Sequence, residues 1–190
     1  MGKKHTHEFR VHEARKISHP AFSDIDKYWF TVSAADFPPG ISTGANAREP
    51  LGLNRQVYKD VKESLLGNTA TPGTFDLMNK GITILAESVK LIDKKENLYH
   101  VVVDEDLGIV DGAHTARIIA EAQDDNMIPA EQFVEVYIRT GITNGLVADI
   151  AKGLNTGIQV KAQSIYDIDG VFDWLKEIIF ESRPLRHYSA

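Results

Sequence analysis

Between Gly108 and Ala122 the hydrophobic pattern changes period across two residues, which dictates a strand, a tight turn and a helix in immediate succession. Ile109 and Val110 form a short apolar run that stops at Asp111-Gly112, after which Ala116, Ile118, Ile119 and Ala122 recur with helical spacing. Asp111 suits the cap position, and Gly112 allows the backbone to turn sharply and approach a ligand. The free N–H groups of the first helical turn, around Gly112, Ala113 and His114, point past the strand end and favour an anion. Thr115 adds a hydroxyl to the same turn.

The flanking segments predict a sheet with helices packed on it. Tyr28–Ser33 is aromatic and β-branched and reads as a core strand, followed by a long Pro- and Gly-containing loop from Asp36 to Asn54. The spacing predicts a helix over Arg55–Leu66, capped by Asn54 and closed by Gly67. Phe75–Met78 suits a short strand or one helical turn. Ile82–Ile92 reads as one strong β segment that returns through Asp93–Asn97 as a hairpin with Leu98–Val103. Strands over Leu107–Val110 and Phe133–Arg139, and helices over Ala113–Asp125, Asn144–Leu154 and from Ser164 onward, complete an α+β fold with a mixed sheet. Residues 1–24 are polar and weakly periodic and predict an extended arm or a loosely packed strand, which leaves residues 25–190 as one domain. The expectation is either an N-terminal domain followed by an additional C-terminal domain, or a short chain completed by a partner subunit.

Composition removes several function classes. The chain has no cysteine, so disulfides and thiolate metal sites are excluded and a reducing cytoplasm is the expected compartment. No apolar run is long enough for a membrane-spanning helix, so no membrane partner is expected. A formal net charge of −6 argues against an extended duplex footprint held through phosphates. Arg48, Arg55, Lys59 and Lys62 are interleaved with Glu49, Asp60 and Glu63, as on a solvated helix face. His5, His7 and His12 lack metal-ligand spacing, because residues five apart diverge by about 140° on a helix. No metal and no cofactor is expected.

Four polar turns carry the remaining chemistry. Besides Asp111–Thr115 they are Asn46-Ala-Arg48-Glu-Pro50, Asn79-Lys80-Gly81 before a strand, and Gly153-Leu-Asn155-Thr-Gly157 at a helix end. Each alone is ordinary turn chemistry. Converging at one sheet edge, they would form an anion site from the Gly112–His114 backbone, the Thr115 hydroxyl, Lys80 and Arg48. His114 and Asn155 would then read the ligand.

The same segments carry a family resemblance. Asn46–Pro50 with Leu53-Asn54-Arg55, Phe75 with Met78–Leu85, Ile109–Thr115, and Leu154-Asn155-Thr156 together resemble the N-terminal region of the AIPR family of abortive-infection phage-resistance proteins. More distantly, Asp111-Gly112-Ala113-His114 is similar to the Asp-Gly-Gln-His-Arg signature of DGQHR-domain proteins and to the ParB/sulfiredoxin-like fold. Here Ala113 stands for Gln and Thr115 for Arg. The resemblance implies a ParB/sulfiredoxin-like core and a role in bacterial or phage conflict, with a nucleotide or short nucleic acid as ligand. Three readings follow: a binding domain, a phosphodiesterase or NTPase using His114 as acid and base, and an interaction module in a homo-oligomer or with a partner subunit.

Overall fold

A computed structural model describes residues 2–46 and 56–155, apart from the side chain of Asn155. Eight strands and four helices follow in the order β1 (Lys4–Arg10), β2 (Glu13–Ser18), β3 (Asp26–Ser33), α1 (Gln56–Leu65), α2 (Phe75–Met78), β4 (Ile82–Ala86), β5 (Ser88–Asp93), β6 (Leu98–Asp104), β7 (Gly108–Asp111), α3 (Ala113–Asp124), β8 (Phe133–Thr140) and α4 (Asn144–Asn155). They build a three-stranded sheet, β1-β6-β5, and a five-stranded sheet, β2-β3-β8-β4-β7. Only β4 and β8 run parallel among these pairs, so the larger sheet is mixed, as expected of an α+β chain.

Strict alternation on β8 gives the larger sheet two distinct faces. Val134, Val136 and Ile138 point inward and meet Phe30, Val32, Ile82 and Ile84. Ile118, Ile119 and Ala122 of α3, Leu65 of α1 and Phe75 of α2 join the same core. On the opposite face, α4 lays Ala151, with Val147, Ile150 and Leu154 beside it, over Leu85 and Val110. This covers the β4–β7 side and explains why β4 is buried along its whole length.

Two side-chain amides, buried Gln132 and half-buried Gln123, hold irregular backbone to this core. The Gln132 side chain donates to the Ser64 and Leu65 carbonyls at the end of α1 and accepts from the Gly73 N–H. Gln123 donates to the Ala34 and Phe37 carbonyls at the start of the long loop. Gly67 ends α1 with a φ of +73°, and Asn68 N–H reaches the Glu63 carbonyl, closing the helix as its sequence predicts.

Of the two expectations for the N-terminal residues, the strand is the one found: β1 aligns with β6 and β2 with β3, and Phe9 is fully buried. The chain passes from one sheet to the other at Val11-His12, whose N–H groups bond Asn97 and Thr31 respectively. Two sequence expectations are corrected. The single strand expected over Ile82–Ile92 is two strands, β4 and β5, in different sheets, separated at Glu87. The cap of α3 is Gly112, at a φ of +82°, rather than Asp111. Phe75–Met78 is the helical turn, not the strand. The expected cap Asn54 and the helix expected from Ser164 onward lie outside the described residues.

Candidate functional site

The Asp111-Gly112 and Asn79-Lys80-Gly81 turns are one corner. Gly112 is wedged against the other turn, and a Cβ there would fall 2.5 Å from the Gly81 carbonyl oxygen. Gly81, at φ +77°, lies against β8, where a Cβ would fall 2.4 Å from the Glu135 carbonyl oxygen. The Asn79 side chain accepts from the Gly81 N–H at 2.9 Å and bonds the Thr115 hydroxyl at 3.3 Å. Both glycines are therefore required by close backbone approach in conformations that side chains avoid.

A β-bulge aims Asp111 at the outer face. Ile109 pairs with Ile84 and faces the core, so plain alternation would turn Asp111 inward as well. One extra residue, Val110, is accommodated between the Ile84 and Thr83 pairings, and Asp111 stands opposite Thr83 instead. Oδ1 of Asp111 accepts the Gly112 N–H at 2.9 Å. This donor at the start of α3 is thus served by the chain's own carboxylate.

Outward from this corner lies a cavity of about 620 Å³. Its lining includes Lys80, Thr83 and Asp111 from the corner, Trp29 and Lys27 from β3, Tyr137 and Arg139 from β8, and Gly153 and Leu154 from the end of α4. Register explains the grouping. Arg15, Trp29, Tyr137, Thr83 and Asp111 form one cross-strand row over all five strands, and Lys27 pairs with Arg139 in the next row. The Trp29 and Tyr137 rings sit side by side with centroids 6.0 Å apart.

Charge is unevenly compensated. Lys27, Lys80 and Arg139 form no ion pair among the described residues. Burial lowers the Arg139 pKa from its usual value, yet a guanidinium stays protonated at neutral pH, so a half-buried positive charge faces the cavity. Burial raises the Glu135 carboxyl, a bond from Thr31 opposes the rise, and Asp76 adds to it. Burial and Glu135 together raise the Tyr137 phenol. Among the described residues no group of three or more His, Asp or Glu side chains is placed to hold a metal.

The expected site residues divide between several surroundings. Lys80 and Asp111 line the cavity, and Gly112 supports them from behind. His114 turns toward α1, where Nε2 and the Tyr58 hydroxyl share a 2.8 Å hydrogen bond. Thr115 is buried against Asn79, and Ala113 lines a separate cavity of about 180 Å³ with Pro38, Ile41 and Arg117. Asn155 ends α4 next to the lining residue Leu154. Arg48 lies outside the described residues. Trp29, Tyr137, Lys27 and Arg139 escaped the sequence reading. The available signal was the two-residue period: Lys27, Trp29 and Thr31 alternate with Tyr28, Phe30 and Val32, and Glu135, Tyr137 and Arg139 with Val134, Val136 and Ile138.

The family model described as "AIPR protein" matches residues 44–188, which is most of the chain and includes the corner, β8 and α4. No curated protein and no solved structure matches the chain. Among the described residues no helix is long and apolar enough to cross a membrane.

Proposed function

The chain belongs to the AIPR family, named for abortive infection and phage resistance, and from that premise we propose that it binds a nucleotide or a short nucleic acid in the Lys80–Asp111 cavity. The observation that carries this reading is the meeting of three cations, Lys27, Lys80 and Arg139, around one concave surface. None is neutralised by an ion pair with a described carboxylate, so an incoming phosphate would supply the missing counter-charge. Asp111 spends one oxygen on Gly112 and keeps acceptor capacity for a ribose hydroxyl or an exocyclic amine. The likeness of Asp111–His114 to the DGQHR signature adds to the argument that this turn is a ligand turn in a ParB/sulfiredoxin-like core, at work in cytoplasmic phage defence.

Binding is favoured over hydrolysis by the orientation of His114. Its Nε2 is engaged by Tyr58 on the α1 side, while the cations gather on the other side of the sheet edge. Titration of ATP, single-stranded DNA and single-stranded RNA against wild type and a Lys80→Ala/Arg139→Ala double variant tests the reading. Loss of binding in the double variant is expected. Equal binding in both proteins, or none in wild type, would sink it.

A further inference from the structure

Trp29 is a large aromatic side chain left 46% exposed on a sheet face whose neighbours are cations, and solvation alone does not account for such a position. Its indole is also held in place. Nε1–H donates to the Glu135 carboxylate, which accepts a second bond from the Thr31 hydroxyl at 3.0 Å. A half-buried carboxylate anchored twice fixes the ring rather than the ligand. Tyr137, in register on the next strand, adds a second ring beside it at a tilt of 33°. One row along, the paired Lys27 and Arg139 stand beside these rings, with Lys80 also on the cavity wall.

Resting on the phosphate-binding reading above, we propose that Trp29 and Tyr137 are a stacking shelf for an unpaired nucleobase, with Glu135 as the residue that positions the Trp29 ring. Aromatic faces accept any base, so the shelf selects for an accessible base carrying phosphate rather than for a sequence. Inside a duplex the bases are stacked on one another and their faces are not available to it. The two sources of such a base are a free nucleotide and a single strand. The three cations follow the phosphates in either case.

The test uses the full chain with Trp174→Phe, which leaves Trp29 as the sole indole fluorophore. Inorganic tripolyphosphate, ATP, a ten-residue oligothymidylate and a duplex of equal length are titrated in turn. Quenching of Trp29 by ATP or by the single strand, with binding of tripolyphosphate that leaves emission unchanged, is the expected result. Whichever of ATP and the oligonucleotide binds more tightly identifies the source of the base. Trp29→Ala, in which no indole remains and binding is read by calorimetry, should weaken base-bearing ligands by about tenfold or more while leaving tripolyphosphate affinity as it was. Trp29→Leu, which keeps an apolar side chain without a ring, serves the same purpose if the alanine variant unfolds. Glu135→Ala should reduce the depth of quenching and the affinity for bases, with tripolyphosphate again unaffected.

Unchanged base binding in both Trp29 variants, alongside loss in Lys80→Ala/Arg139→Ala, would overturn the shelf and leave the phosphate site standing. Quenching by the duplex equal to that by the single strand would also overturn it. No binding of any of the four probes would remove both the shelf and the site it rests on.

Discussion

The Tyr58 hydroxyl lies 2.8 Å from Nε2 of His114, and the two rings lie over one another with centroids 4.2 Å apart. This contact ties the first turn of α1 to the first turn of α3, directly behind the Asp111-Gly112 corner. A histidine in that turn thus reaches toward a helix, while Asp111, three residues earlier, reaches toward the cavity. Tyr58→Phe should remove the hydrogen bond but keep the ring contact, lowering stability by about 1 kcal/mol. His114→Ala should cost more, about 1–3 kcal/mol, because the packing is lost too. Urea unfolding of both variants checks the order. Nucleotide hydrolysis by wild type that disappears in His114→Ala but survives in Tyr58→Phe would instead give His114 an acid–base role.

Gly112 is the second point at which the corner is fixed by geometry. Gly112→Ala must hold a side chain at positive φ, a cost of about 1–2 kcal/mol, and must also push back the Gly81 carbonyl. A total loss above about 2 kcal/mol is expected, with a lower thermal midpoint. Gly145 in α4 provides the contrast, since a Cβ there meets nothing within 4 Å and no positive φ is involved. Gly145→Ala should leave stability unchanged or raise it by about 0.5 kcal/mol. Equal effects at the two glycines would contradict the wedge between the two turns.

What was legible in the sequence, and what was not, follows from whether the signal is local. The strand-to-helix switch at Asp111-Gly112 and the Asn79–Gly81 turn were readable because period and glycine conformation are properties of a few adjacent residues. The split of Ile82–Ile92 was not, because both halves favour β structure and only their distant partners differ: β8 and β7 for one, β6 for the other. The N-terminal strands were hidden for a related reason. On β1 Phe9 is buried while its neighbours are mostly exposed, and on β2 Ala14 alone reaches the core, so backbone pairing more than apolar content holds them. The aromatic and cationic half of the site arises from register across β3 and β8, whose sequences are about a hundred residues apart, and one sequence cannot state a register.

Removing a single cation should change salt dependence in a way that separates phosphate contact from base contact. For single strands each neutralised phosphate contributes about 0.7 to the slope of log affinity against log salt. Arg139→Ala should flatten the slope for oligothymidylate by about that amount, and Lys80→Ala likewise. Trp29→Leu should lower affinity at every salt concentration and leave the slope alone. Parallel salt titrations by fluorescence anisotropy distinguish the three. A slope unchanged in both charge variants would mean that neither side chain meets a phosphate.

Two carboxylates on neighbouring strands of this sheet should respond to pH with opposite sign. Burial is the leading cause that raises Glu135 above its usual 4.5, so the folded protein holds this proton more tightly than the unfolded chain does. Its contribution to stability is then fully present below 4.5 and is lost as pH rises through the folded value. Asp26 is held below its usual 3.8, first by the bond from Lys16 and next by that from Ser18. Its contribution is present above 3.8 and is lost as pH falls through the folded value. Glu135→Gln should therefore remove a decline in stability on the alkaline side of the carboxylate range. Asp26→Asn should remove one on the acid side, by a small amount because the pair is exposed to solvent. Unfolding free energies measured across the acid range for wild type and both variants give two difference curves. Curves of the same slope, or a flat one for Glu135→Gln, would show that burial does not outweigh the hydrogen bonds that favour the charged Glu135 carboxylate.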